Sequence, residues 1–157
     1  MERAARYEVN EENVRGGESL YGEYEHTVDA KGRMFLPAKF RAELGDRVYI
    51  TRGLDSCICV YPVDKWESFV EKLSTLPTTK ARHVTRILCA SAVDTDVDAQ
   101  GRVLLPLSHR ENAKLGKTVI VIGVGEKAEI WNVDEYKKYK ASISDEEIEN
   151  ELIELGM

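Results

Sequence analysis

The stretch Asp29-Ala-Lys-Gly-Arg-Met-Phe-Leu-Pro37 occurs a second time, 69 residues later, as Asp98-Ala-Gln-Gly-Arg-Val-Leu-Leu-Pro106. Six of the nine positions are identical in the two copies. More matched segments follow each copy in the same order: Leu44-Gly45 with Leu115-Gly116, Gly53 with Gly123, and Tyr61-Pro-Val-Asp64 with Trp131-Asn-Val-Asp134. An ordered series of this kind indicates two structural halves in tandem.

Each half carries the same sequence of local signals. In the first half, alternating residues predict a strand, Gly32 permits a tight turn, and a second strand runs into Pro37. Proline suits the first turn of a helix, and Gly45 ends that helix. The predicted elements are strand 21–28, turn 29–32, strand 33–36, helix 37–44, and a hairpin of strands 47–52 and 57–61.

The second half repeats this order. Its predicted elements are strand 92–97, turn 98–101, strand 102–105, helix 106–115, and a hairpin of strands 118–124 and 128–133.

Helices are predicted between the halves and at the end of the chain. Asp64 is placed to cap a helix that runs to about residue 76, where Pro77 stops it, and 79–89 is a second helix. Near the end, Ser144-Asp-Glu-Glu147 has the spacing of a capping box. The helix that follows is acidic and has an apolar stripe, which suits docking on the body or on another chain: Ile148, Leu152 and Leu155.

Composition excludes several classes of protein. With 157 residues, 43% of them hydrophobic, the chain has the length and apolar content of one folded domain rather than of a disordered protein. The longest apolar run, 119–124, is far below the roughly 20 residues that a membrane span needs. The first residues lack the apolar stretch of a signal peptide, and three cysteines do not suit a secreted disulfide framework. We therefore expect a soluble cytoplasmic protein.

The net charge of −6 hides a basic segment. Residues 1–20 carry a net charge of −2 and residues 143–157 carry −6, which leaves +2 for residues 21–142. Within that body, residues 29–52 carry +3. Because the local field governs the choice of partner more than the total charge does, the acidity of the chain does not exclude a nucleic-acid ligand.

Other apparent motifs lack residues that their proposed sites require. Asp94-Thr-Asp-Val-Asp98 begins like a calcium loop, but Ala99 and Leu105 stand where that loop needs glycine and glutamate. Gly116-Lys-Thr118 lacks the earlier glycine of a phosphate loop. Three cysteines, Cys57, Cys59 and Cys89, are expected to be buried thiols. No residues of the sequence resemble a catalytic triad. The sequence therefore predicts no enzyme, metal, cofactor, small-molecule substrate or membrane.

The doubled D-x-x-G-R motif, each copy followed by three apolar residues and a proline, resembles the AbrB/SpoVT swapped-hairpin half. Two such halves in one chain resemble the MraZ family of bacterial transcriptional regulators over roughly residues 21–140. This resemblance implies an α+β fold, mainly β, in which two swapped-hairpin halves form a pseudo-two-fold, barrel-like β core with short helices. The expected divisions are an extension 1–20, a first half 21–66, connecting helices 67–91, a second half 92–137 and an acidic tail 138–157.

The resemblance also implies a function. It is that of a sequence-specific DNA-binding protein at a promoter of the division and cell-wall gene cluster, including its own operon. A ring-like homo-oligomer would present many motif copies to repeated DNA boxes in the nucleoid. Glycine at the turn would let the backbone approach the duplex closely. The residues implied for DNA binding are Lys31, Arg33, Gln100 and Arg102, supported by Asp29, Gly32, Asp98 and Gly101, with weaker candidates Lys39, Arg41 and Arg86.

Two alternatives remain open from the sequence. Asp29 and Arg33 could pair across the turn and only hold the hairpin together. The whole fold could instead serve as a protein-interaction module, antitoxin-like or a scaffold, an interpretation that the acidic carboxy-terminal helix suggests.

Overall fold

The computed structural model describes residues 20–157. The same order of strands and helices occurs in it twice. The first copy consists of β1 (Leu20–Thr27), β2 (Arg33–Phe35), α1 (Ala38–Leu44), β3 (Arg47–Arg52) and β4 (Ile58–Pro62). The second consists of β5 (Val93–Asp96), β6 (Arg102–Leu104), α4 (Leu107–Asn112), β7 (Thr118–Gly125) and β8 (Ala128–Asn132). Between them lie α2 (Val63–Ser74) and α3 (Thr78–Val84), which continues as a π-helical segment (Thr85–Cys89). The chain ends with α5 (Val133–Ala141) and α6 (Asp145–Glu154).

The two halves exchange their first strands. The six-stranded sheet has the order β1-β7-β8-β4-β3-β5, and every neighbouring pair is antiparallel. Strand β1 of the first half therefore pairs with β7 of the second half, and β5 of the second half pairs with β3 of the first. The short strands β2 and β6 pair with each other in a separate ribbon. The predicted α+β fold of two swapped halves around a β core is confirmed.

The alternation of apolar residues along the strands produces the main core. Alternate side chains are buried in the first part of β3 (Val48, Ile50) and of β7 (Val119, Val121). All five positions of β4, which lies in the middle of the sheet, are buried. A fully buried aliphatic side chain contributes about 1.5–3 kcal/mol. The aliphatic centre includes Val48, Ile50, Ile58, Val60, Val119, Val121 and Ile130.

A second, aromatic cluster repeats the internal symmetry. Trp66 on α2 packs against Tyr61, with ring centroids 5.3 Å apart, and Tyr136 on α5 packs against Trp131 at 5.4 Å. Each helix thus covers the strand that precedes it with an aromatic pair at the same position of the half. This explains why the segments 61–64 and 131–134 match in sequence.

Several element ends confirm or correct the sequence predictions. Helix α1 begins after Pro37 and ends at Gly45, whose φ is +78°. The predicted Asp64 cap is wrong: α2 begins after Pro62 and has no side-chain cap, so that Asp64 lies inside the first turn. The proline fixes the start because its φ is already helical. Asp64 there still favours the helix, since carboxylates interact well with its amino-terminal end.

Other differences are small. Helix α4 is shorter than predicted, because Lys114 adopts a φ of +57° just after it. The capping box of Ser144 and Glu147 is present as predicted. The first two aspartates of the segment that resembles a calcium loop lie on β5, where Asp94 and Asp96 pair with Arg47, as expected of a strand with a polar face.

The predicted amino-terminal extension lies outside the described residues, apart from Leu20, which begins β1. No helix in the described part of the chain is long and apolar enough to cross a membrane.

Candidate nucleic-acid interface

Asp29 organises the first turn by accepting three hydrogen bonds. Its Oδ1 accepts from the backbone N–H groups of Lys31 and Arg33, both at 2.9 Å, and its Oδ2 accepts from Nε of Arg33 at 2.9 Å. Gly32 closes the turn with a φ of +88° and donates its N–H to the Asp29 carbonyl. One carboxylate thus shapes the backbone and also fixes the arginine.

The second turn repeats this arrangement. Oδ1 of Asp98 accepts from the N–H groups of Gln100 and Arg102, at 2.9 and 2.8 Å, and its Oδ2 accepts from Nε of Arg102 at 2.8 Å. Gly101 has a φ of +87°. The D-x-x-G-R motif is therefore a hydrogen-bonded unit, and its spacing follows from these bonds.

The hydrogen bonds also hold both carboxylates in the charged form. The backbone N–H of Arg33 is the largest cause that lowers the pKa of Asp29, and the N–H of Arg102 is the largest for Asp98. Each carboxylate remains negative and keeps its arginine in place at neutral pH. The pairing of Asp29 with Arg33, which the sequence left open, is present.

Strands β2 and β6 bring the two turns together. Arg33 pairs in register with Leu104, and Arg102 pairs with Phe35. Beyond the ribbon, the Leu36 N–H donates to the Gly101 carbonyl at 2.9 Å, and the Leu105 N–H donates to the Gly32 carbonyl at 2.8 Å. Each turn is thereby fixed by the strand of the other half.

The outward side of this ribbon combines cations with apolar groups. Met34 and Val103 point into the core, whereas Phe35 and Leu104 are about half exposed, at 46% and 52%. The guanidinium of Arg102 lies over the Phe35 ring, 5.8 Å from its centroid. We call the exposed side of the two turns and this ribbon the turn surface: Lys31, Arg33, Phe35, Gln100, Arg102 and Leu104.

The motif arginines keep donors for an outside ligand. Within the described residues, the guanidinium groups of Arg33 and Arg102 each bond their aspartate only through Nε. The Nη atoms form the edge of the guanidinium that binds two acceptors side by side, as on guanine or a phosphate. The side chains are partly exposed, at 36% for Arg33 and 25% for Arg102.

Arg110 lies beneath the first turn, and sequence reasoning missed it. A Cβ on Gly32 would lie 2.7 Å from the Arg110 guanidinium, and a Cβ on Gly101 would lie 2.4 Å from that of Arg41. Each arginine also donates through Nε to a nearby carbonyl, Arg41 to Leu36 at 3.2 Å and Arg110 to Leu105 at 2.9 Å. Arg110 follows Arg41 by the repeat offset of 69, and this signal could have identified it.

These contacts give the turn glycines a packing role that the sequence did not reveal. Gly32 and Gly101 are buried, and the side on which a Cβ would stand faces an arginine of the other half. The absence of a side chain therefore permits packing between the halves, while the close approach of the turn to a duplex stays a prediction. Positive φ is the second reason for glycine at both positions.

The other predicted side chains lie at different distances from this arrangement. Lys31 and Gln100 are exposed at the tips of the turns. Lys39 is exposed on α1, the helix that also carries Arg41. Arg86 belongs to the π-helical segment and lines a groove there with residues of α2 and α3, so it is not part of the turn surface.

One group of described residues has the composition of a metal site. The thiols of Cys57 and Cys59 and the carboxylate of Glu129 lie within 4.8 Å of one another. Each sulfur is buried, the Cys57 thiol donates to the Leu54 carbonyl at 3.1 Å, and Glu129 accepts from the Trp131 indole at 3.0 Å. The predicted burial of Cys57 and Cys59 is confirmed, and Cys89 is partly buried.

Comparison with known proteins agrees with this double arrangement. The family described as "MraZ protein, putative antitoxin-like" matches the chain twice, over residues 20–87 and 88–154. A transcriptional regulator MraZ of Thermoanaerobacter pseudethanolicus is 49% identical over 142 residues, which is 88% of this chain and 99% of that protein. The transcriptional regulator MraZ of Caldanaerobacter subterraneus subsp. tengcongensis is 50% identical over 137 residues, 85% of this chain and 96% of the relative. With two tandem matches and relatives aligned over nearly their full length, this chain belongs to the MraZ family.

Proposed function

We propose that this protein is a transcriptional regulator that binds promoter DNA in a sequence-specific way through the turn surface. The observation that carries the proposal is the pair of arginines, Arg33 and Arg102, which two matching aspartate-centred turns hold on one ribbon through Nε, so that the Nη atoms remain as donors for a ligand. The relatives named transcriptional regulators support the regulatory role.

The chemistry of the turn surface suits a duplex. An arginine held by its Nε offers a preorganised fork to O6 and N7 of guanine, or to a phosphate. Lys31 would add a phosphate contact at one turn, and the amide of Gln100 could pair with adenine at the other. The exposed Phe35 and Leu104 between them would contact sugar or thymine methyl groups. The two turns therefore share one backbone arrangement but would recognise different groups of the DNA.

Charge makes a single chain a weak binder. The segment 29–52 carries only +3, and Arg47 in it pairs with Asp94 and Asp96. A homo-oligomer, which the family resemblance implies is a ring, would align several turn surfaces on repeated boxes and gain affinity through effective concentration. The resemblance further suggests the division and cell-wall gene cluster, including the protein's own operon, as the target in the nucleoid.

A titration by fluorescence anisotropy tests the proposal. Promoter DNA that contains the repeated boxes and a scrambled duplex are titrated with the protein at several salt concentrations. We expect tighter binding to the promoter, with a log–log salt slope of several units, and a loss of about tenfold or more in Arg33→Ala. Arg52→Ala removes an arginine that is exposed away from the turns and is the matched control.

A protein-interaction module, antitoxin-like or a scaffold, is the second candidate, because α6 exposes an apolar stripe. Equal affinity for both duplexes, or no binding at low salt, would favour that module and reject the DNA-binding proposal. Turnover of a substrate that is lost when a histidine or cysteine is replaced would show an enzyme instead.

A further inference from the structure

An apolar groove of about 510 Å³ lies between α2 and the helix formed by α3 and the π-helical segment. Its wall includes Leu76, half exposed, and Ala81, which is buried in the angle between the helices. Pro77 produces that angle, since α2 ends at Ser74 and α3 starts directly after the proline. The residues used in the argument are Val70, Leu73, Leu76 and Ala81 on the apolar wall, with Arg82 and Arg86 beside them.

Helix α6 has an apolar stripe that no part of its own described chain covers. Ile148, Leu152 and Leu155 are 49%, 43% and 74% exposed, and no residue of α6 is buried. They follow the spacing i, i+4 and i+7, which places three anchors along one face, as in helices that bind in grooves. The capping box at Ser144 and Glu147 satisfies the first backbone donors of the helix.

The charges of the groove and of α6 are complementary. Residues 143–157 contain six acidic side chains and no lysine or arginine, whereas Arg82 and Arg86 line the groove and Lys72 and Lys80 lie on the helices that form it. The groove is therefore suited to an apolar helix with acidic side chains beside its apolar face, and α6 is such a helix. In the structure of one chain the two remain apart, since no α6 residue lines the groove.

We infer that α6 of one copy binds in the α2–α3 groove of a second copy, with Ile148, Leu152 and Leu155 on the apolar wall and the acidic side chains against Arg82 and Arg86. The contact joins two unlike surfaces, so a bound pair still presents one free groove, on one copy, and one free α6, on the other. Contacts of this kind continue from copy to copy and give a closed ring or an open filament, according to the rotation between neighbours; the ring is the outcome that the family resemblance implies. The inference specifies the contact behind the oligomer of the proposed function.

Light scattering on the full chain without DNA tests the contact. We expect the wild type to have a mass that is a multiple of 17.8 kDa, and Leu152→Asp to fall to the mass of one chain. Ile153→Asp is the matched control, because Ile153 is also exposed on α6 but lies roughly 100° around the helix from Leu152. The control is expected to keep the wild-type mass.

Mixing two variants gives the sharper result. The double variant Arg82→Glu, Arg86→Glu keeps its α6 but reverses the charge of the groove, and Leu152→Asp keeps its groove but has a disrupted α6. Each alone is expected to be a single chain. Their equimolar mixture has one working groove and one working helix, so we expect a complex of two chains that grows no further.

Three results would overturn the inference: a wild type that has the mass of one chain, a Leu152→Asp variant with unchanged mass, or a mixture in which no pair forms. If removal of residues 1–19 abolished the oligomer while Leu152→Asp kept the wild-type mass, the occupant of the groove would be residues 1–19 instead of α6. Because the readout is mass in the absence of DNA, none of these results bears on whether the turn surface binds a duplex.

Discussion

Under the proposed function, Arg33 and Arg102 each perform two tasks with one guanidinium: they hold the turn and they bind DNA. Nε holds the aspartate of the turn, and the Nη edge remains available. Lysine has the same charge but neither the fork nor the Nε, so that it cannot perform both tasks. This difference separates the contribution of the charge from that of the geometry.

The variant Arg33→Lys should therefore lose specificity more than affinity. We expect binding to promoter boxes to weaken about tenfold or more, while binding to a scrambled duplex changes little. Anisotropy titrations with both duplexes measure the ratio, and Arg52→Lys is the control. Unchanged affinity for both duplexes would mean that Arg33 acts only through its charge, and equal weakening on both would mean that its geometry gives no specificity.

Asp29 and Asp98 are expected to titrate below their ordinary pKa of 3.8. Because the folded-state pKa is lower than the unfolded one, their contribution to stability is fully present above the unfolded pKa and is lost as the pH falls through the folded value. NMR of the carboxyl carbons should show midpoints below 3.8 in the native protein and higher midpoints in urea. Native midpoints at or above 3.8 would show that the hydrogen bonds of the turns do not persist in solution.

Two glycines allow the packing between the halves to be measured. Gly45 and Gly101 both have positive φ, but a Cβ at Gly45 meets nothing within 4 Å, whereas one at Gly101 meets the Arg41 guanidinium. Gly45→Ala is expected to cost about 1 kcal/mol in the free energy of unfolding, from backbone strain alone. Gly101→Ala should cost about 1 kcal/mol more, because Arg41 must give up its bond to the Leu36 carbonyl.

Urea unfolding of both variants measures this difference, and a double-mutant cycle identifies its source. In an Arg41→Ala background the two alanine substitutions should cost the same. An extra cost at Gly101 that persists without Arg41 would place the constraint elsewhere in the turn.

Strand β1 depends on a glycine of the other half. Gly123 lies opposite Gly22 in the β1–β7 pair, and a Cβ there would stand 2.4 Å from the Leu20 carbonyl carbon and 2.5 Å from the Tyr21 nitrogen. These are backbone atoms, so the strand itself must move to make room. The exchange of strands between the halves thus requires a residue without a side chain at this position.

We expect Gly123→Ala to separate the start of β1 from β7 and to lower the free energy of unfolding by about 2 kcal/mol. Amide hydrogen exchange should become faster in β1, first at Tyr21. Gly116→Ala is the control, since a Cβ there meets nothing within 4 Å and its φ is not positive. Unchanged protection of β1 would mean that the strand adapts at no cost.

The helices and turns could be predicted from the sequence where a residue type restricts the backbone dihedral angles. Pro37, Gly32 and Gly45 fixed the turn and the helix of the first half, because proline sets φ and glycine permits a positive φ. The Asp64 cap failed for the same reason, since Pro62 had already started the helix. The exchange of β1 and β5 came only from the family resemblance, because a sequence does not show which edge a strand selects.

The candidate site shows the same division. The spacing of Asp29 and Arg33 pointed to a pair, and the structure has it. Arg110 escaped notice because a lone arginine on a helix resembles any solvated residue, and only its distance of 69 residues from Arg41 marks it. The contact of Arg110 with the turn of the other half joins residues that are far apart in sequence, so that composition and periodicity do not reveal it.

The distribution of charge over the whole molecule governs how any duplex is approached. The acidic residues of α6 give the carboxy-terminal segment a net charge of −6, against +2 for residues 21–142. Unless α6 lies more than a Debye length from the DNA, about 10 Å at 0.1 M salt, its field opposes binding without regard to sequence. Neutralising acidic side chains outside the apolar stripe tests this while it leaves the stripe intact.

The triple variant Glu146→Gln, Glu149→Gln, Glu154→Gln changes the net charge from −6 to −3. We expect it to bind a scrambled duplex roughly threefold more tightly at low salt, and the difference to vanish as salt screens the charges. Anisotropy at a series of salt concentrations measures both effects. Because the acidic side chains of α6 face Arg82 and Arg86 in the inferred contact, light scattering measures the mass of the variant, and affinities are compared at protein concentrations where that mass equals the wild-type mass. Equal affinity at low salt would place α6 away from the duplex, as its binding within a neighbouring groove would also do. In that case the acidic helix contributes to assembly alone, and the turn surface meets the DNA without its repulsion.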